Sequence, residues 1–237
     1  LGAGESVTDD LTIIQGNGPN NIFVTEGSVG GTASLRTGGG LGSVTGVVDL
    51  AVTEDLIIAN GTGGNRQVIL GNGNVGDDVT ITNGASLGSN IQIDGAGITG
   101  DLTITNGSGD NVVDISNGTA IGLTANIRNG NAVGTGSQVQ INDATFGTTL
   151  NVINANGDHT VQLGNAGPVG IGGSAFLRNG NGDVTIEVDD TTTGGDLQII
   201  NNNSSGGSTT SIGVTTPVAI GRDLQIRHNN GDVGVQV

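Results

Sequence analysis

The 237-residue chain predicts an all-β fold, a single-stranded right-handed parallel β-helix (β-solenoid) of about ten coils of 22–27 residues. Three observations predict it. A unit typified by Asp101 to Ser116, DLTITNGSGDNVVDIS, returns ten times, starting at Asp10, Thr32, Asp55, Asp78, Asp101, Thr124, Thr149, Ser174, Asp196 and Asp223. Within each unit apolar and polar residues alternate with period two, the pattern of a half-buried strand, and no helical window competes. A column of asparagines, mostly followed by glycine, closes the first strand of each unit.

The first strand carries two inward columns. One runs Leu11, Ala33, Leu56, Val79 through to Leu224, and the other Ile13, Leu35, Ile58, Ile81 through to Ile226. A second strand repeats the alternation at Ile22/Val24, Val68/Leu70, Ile91/Ile93, Val139/Ile141, Val161/Leu163 and Val184/Ile186. A third apolar point precedes glycine at Val29-Gly30, Val75-Gly76, Ile121-Gly122, Phe146-Gly147, Val169-Gly170 and Ile220-Gly221. Stacked like on like at about 4.8 Å per coil, ten units make a rod of roughly 50 Å. Longer units place their extra residues in Gly/Ser/Thr-rich stretches such as Asn203 to Thr210, where a loop absorbs them. The period runs end to end, so residues 1–237 are expected to form one repeat domain, with Leu1 to Asp9 covering the N-terminal end. The pattern stops mid-unit at Val237, which predicts that the natural chain continues or that ends associate. Right-handedness follows from the general preference of parallel crossover connections.

Composition narrows the partners. There are 22 acids against six arginines and no lysine, a formal charge of −16, which repels nucleic acid phosphates and anionic membranes. No apolar run is long enough for a membrane span. Without Cys there is neither a disulfide framework nor a thiolate metal site. Three Phe and no Trp, Tyr or Met leave a thin aliphatic core.

The column after the first strand reads Gln15, Thr37, Asn60, Asn83, Asn106, Asn129, Asn154, Asn179, Asn201 and His228. Asn and Gly tolerate left-handed backbone in a turn, and stacked Asn side chains form an amide ladder. A ladder is the expected role, and a ligand-binding row the alternative. Units of the form D-L-T-I-x-N-G-x-G, with V-G-G or I-x-G before the next, resemble the β-strand repeats of large secreted and cell-surface bacterial proteins. These include adhesins of the filamentous-haemagglutinin type and long repeat proteins of environmental bacteria. The resemblance covers essentially the whole chain. It implies an extracellular, structural or adhesive role and brings no active site with it.

Four features bear on chemistry. The turns Asn106 to Asp110, Asn154 to Asp158 and Asn179 to Asp183 are similar to the G-G-x-G-x-D repeat of calcium β-rolls, but they occur once per coil and begin with Asn. Asp55, Asp78 and Asp101 stack on consecutive rungs, either bridged by Ca²⁺ or capping backbone N–H groups; capping is the favoured reading. Arg36, Arg128, Arg178 and Arg227 share one outward column, with Phe176 beside it, and form a candidate binding stripe for carboxylates of a glycan or protein, the alternative being charge balance with neighbouring acids. His159 and His228 lie about three coils apart, and no nucleophile, base and orienting group come together.

The expected function is therefore a non-catalytic structural or adhesive segment of a larger secreted or cell-surface bacterial protein. It needs no cofactor, with calcium left open. Its partners would be a surface glycan or protein, or further copies joined end to end, with no nucleic acid and no membrane insertion. A polysaccharide lyase or hydrolase and a calcium-stabilised module are the alternatives.

Overall fold

The alternation produces strands wherever it occurs. A computed structural model describes residues 4–40, 42–203 and 207–237, and among them lie thirty strands and no helix. They form three ten-stranded parallel sheets in which every strand pairs only with its counterparts one coil before and one coil after. Coil five is representative. Gly97–Ile98 belongs to sheet one, Leu102–Asn106 to sheet two and Val112–Ser116 to sheet three. The chain is a parallel β-solenoid of ten coils.

In-register pairing stacks each inward column as expected. Leu102 sits between Val79 and Ala125, and Ile104 between Ile81 and Ile127, all fully buried. Phe146, the one buried aromatic, continues the sheet-one column above Ile121. One assignment is corrected here. Ile171, not Val169, pairs with Phe146, because Val169 pairs with Ala144 two residues earlier in the strand. Both face inward, and alternation alone does not choose between them.

Residues 1–3 and 41 and residues 204–206 lie outside the described residues, and with them parts of the expected N-terminal cover and of the Asn203 to Thr210 loop. Within that cover, Ser6–Val7 is a strand of sheet one paired with Ser28–Val29. Within the loop region, Ser208–Ile212 is a strand of sheet three.

The three corners are built differently. Between sheets one and two there are three residues in every coil. Between sheets two and three the link after the asparagine column varies from four to seven residues. Between sheets three and one, a residue with positive φ makes the bend at Glu26, Asp49, Asn72, Asn117, Asp143 and Asp190. All but one are Asn or Asp, the non-glycine residues that best tolerate this region.

The ladder asparagines are not among the positive-φ residues, which corrects the turn reading of that column. From Asn60 to Asn179 each is the last residue of its sheet-two strand and faces inward. The glycine that follows answers a steric demand. A Cβ on Gly107 would lie 2.5 Å from the Ala85 nitrogen of the coil below. Two residues on, Gly109 takes φ 134°, which explains the second glycine of Asn-Gly-x-Gly.

Candidate functional site

The inside of the second corner holds the asparagine ladder. Thr37 donates its hydroxyl to Asn60 Oδ1, and Nδ2 of each asparagine then donates to Oδ1 of the next, through Asn83, Asn106, Asn129, Asn154 and Asn179 to Asn201, at 2.8–2.9 Å. His228 ends the run with Nδ1 3.3 Å from Asn201 Nδ2 and Nε2 3.3 Å from Thr210 Oγ1. The seven asparagines are buried, so the column belongs to the core and presents no row to a ligand. Every link points the same way along the rod, and hydrogen bonds in such chains polarise one another.

A second interior column, which reasoning from the sequence missed, opens the sheet-three strands. It contains Ser43, Arg66, Ser89, Asn111, Ser137 and His159. Its longer members reach back to the corner carbonyls four residues earlier. Arg66 Nη2 donates to Thr62 O, Asn111 Nδ2 to Gly107 O at 3.0 Å, and His159 Nε2 lies 2.9 Å from Ala155 O. Arg66 also donates Nη1 to Ser43 Oγ at 2.7 Å. These residues staple the corner from inside. Burial lowers the affinity of Arg66 and His159 for their protons, partly offset at His159 by the Ala155 carbonyl and Asp158.

The aspartates have a shared use. Asp10, Asp55, Asp78, Asp101 and Asp196 each accept a backbone N–H from the coil above, as Asp78 does from Asp101 at 2.7 Å and Asp101 from Thr124 at 2.8 Å. Among the stacked acids, carboxylate oxygens of Asp55, Asp77 and Asp78 lie within 4.8 Å of one another, and Asp101 stands outside that group. The aspartates that end the turns Asn106 to Asp110, Asn154 to Asp158 and Asn179 to Asp183 do the same. Asp110 accepts the N–H groups of Val133, Gly134 and Thr135, Asp158 that of Asp183, and Asp183 that of Gly207. The Gly134 N–H, helped by those of Val133 and Thr135 and by the Thr135 hydroxyl, holds the Asp110 carboxyl down at about 2 against the opposing effect of burial. At Asp189 burial pushes upward, but the Thr215 hydroxyl and the N–H groups of Thr215, Thr216 and Val214 outweigh it and keep the group below its ordinary value. Asp114 goes the other way, raised by burial and then by Asp94. Its neighbours in the outward column are Gln92 and Gln140, neither a base.

The arginine column is in register as read. Ile14, Arg36, Ala59, Thr82, Thr105, Arg128, Ile153, Arg178, Ile200 and Arg227 pair rung on rung along sheet two. The one ion pair among the described residues lies elsewhere, Arg222 Nη2 to Asp196 Oδ2 at 3.1 Å. Arg36, Arg178 and Arg227 bond only to neutral Ser34, Gln198 and Asn229, and Arg128 has no hydrogen-bond acceptor among the described residues. The Arg178 guanidinium lies 5.9 Å from the centre of the Phe176 ring. Between Arg128 and Arg178 the surface dips into a shallow depression of about 240 Å³ lined by Asn126, Asn151, Ile153 and Phe176.

No protein-family model matches the chain, and comparison with curated proteins and with solved structures gave no significant match.

Proposed function

We propose that this β-solenoid is a non-catalytic structural or adhesive rod displayed outside a bacterial cell. One observation carries the reading. Nine of the 22 acids and the buried His159 are committed to holding the coils together. Asp10, Asp55, Asp78, Asp101, Asp110, Asp158, Asp183, Asp189 and Asp196 accept backbone N–H groups, and His159 is inside the corner. A glycosidase instead needs two carboxyl groups facing one bond across about 5 to 10 Å. The broad outward face of sheet two offers arginines, amides and hydroxyls, which bind without reacting. Placement outside the cell rests on the resemblance of the repeats to surface proteins.

Incubation with neutral and uronic polysaccharides should release neither reducing ends nor unsaturated products. Steady product release would overturn the reading. The Asp55, Asp77 and Asp78 group favours calcium as a second reading, tested by thermal unfolding in chelator and in millimolar calcium. Because Asp55 and Asp78 already hold backbone N–H groups, the midpoint should not move. A large calcium-dependent rise would make this a metal-stabilised module.

A further inference from the structure

We propose that the outward face of sheet two in coils six to eight binds a carboxylate-bearing pyranose of an acidic polysaccharide. The inference rests on the adhesive reading above and names what is bound.

Charge is segregated on this rod. The two outward columns of sheet two contain Arg36, Arg128, Arg178 and Arg227 and not one of the 22 acids. The column of capping aspartates at the strand start is four residues from the arginine column, roughly 13 Å along an extended strand. At physiological salt the screening length is about 8 Å, so the arginines act as a local cationic face despite the net charge of −16.

The depression between Arg128 and Arg178 has the parts a sugar acid requires. At about 240 Å³ it falls below the roughly 300 Å³ where pockets for whole small molecules begin, and suits one ring of a longer chain. Arg128, with no protein acceptor among the described residues, presents its guanidinium fork to a carboxylate. Phe176 and Ile153 supply apolar surface for the C–H face of the ring. Asn151 Nδ2 donates to Asn126 Oδ1 at 2.9 Å. That leaves an Asn126 N–H and the Asn151 carbonyl, without partners among the described residues, to meet hydroxyl groups. Arg178 and Arg227 follow at intervals of two coils, about 10 Å each, which extends the match from one sugar to a regularly charged polymer. A purely acidic peptide would use the arginines but has no need of the aromatic and amide pair.

Calorimetric titration of the intact chain with tetragalacturonate tests this, with maltotetraose and tetraglutamate as comparison ligands. Tetragalacturonate should bind at least tenfold more tightly than either and weaken as salt is raised. The double variant R128Q/R178Q should lose at least tenfold in affinity, and F176L several-fold, while R222Q, outside the arginine column and paired with Asp196, stays unchanged. All of these side chains face outward, and circular dichroism would verify the coil. Equal binding by R128Q/R178Q, or no binding of tetragalacturonate by the unaltered chain, would overturn the inference. So would maltotetraose binding equally. Tetraglutamate binding equally would reassign the face to an acidic protein. Shortening of the tetramer during titration would instead overturn the non-catalytic reading and leave the binding result standing.

Discussion

Two corners of the same coil solve the same problem with different sets of side chains. The corner between sheets one and two is three residues long in every coil and is held from outside, by aspartates that reach one coil up to a backbone N–H. The corner between sheets two and three varies in length and adds to such aspartates (Asp110, Asp158 and Asp183) a hold from inside, by the asparagine ladder and the Arg66, Asn111 and His159 staples. Where the backbone itself is the spacer, length is invariant. Where buried side chains set the register, the loop above them is free to grow.

The sharpest break of that contrast is Asn129→Asp. It removes the amide donor to Asn154 and puts a carboxylate into the core, and chemical denaturation should show a loss of about 3 kcal/mol or more. Next come paired insertions of two glycines. Placed after Gly122 they disrupt the bonds from Gly122 N to Ile98 O, Leu123 N to Gly100 O and Gly147 N to Ile121 O, for about 3 kcal/mol at roughly 1 kcal/mol each. Placed after Asn131, in the seven-residue loop of coil six, they leave the ladder in place and should cost about 0.6 kcal/mol of loop closure, plus about 1 kcal/mol for each bond from Val133, Gly134 or Thr135 to Asp110 that fails to re-form. Equal effects would erase the distinction between the corners. Asp101→Ala should cost about 1 kcal/mol, through the lost Thr124 N–H bond.

The smallest effect is one of pH. Burial keeps the folded His159 below the 6.5 of a free imidazole, so the unfolded chain takes up a proton that the folded chain refuses. Stability should be full above that value and fall as pH drops through it. His159→Asn preserves the return bond, as Asn111 shows two column positions away, and should flatten the decline. It does so only in part, because burial shifts His228 in the same direction. Asp110 adds a separate loss at lower pH, since its contribution is present above 3.8 and disappears as pH falls towards about 2.

The coil was legible because Leu102 and Ile104 recur with a period that only stacked strands satisfy. The ladder was legible as a column, but its reason was not. A last inward strand residue and a first turn residue both precede glycine, and only the fold shows that Asn106 is the former. The staples escaped notice because their column mixes Ser43, Arg66, Asn111 and His159, which share a position and no chemistry. Alternation counted back from Val68 places Arg66 inside, and that was the available signal. The arginine stripe followed from register alone. That its members lack carboxylate partners depends on how far side chains reach, which spacing does not encode.

Because each strand pairs only with its counterparts one coil away, a pull applied at the two ends loads a single rung at a time. Every detached coil would free 22–27 residues, a contour length on the order of 75–95 Å. Under tension such a rod lengthens in nearly equal steps and dissipates work at each one.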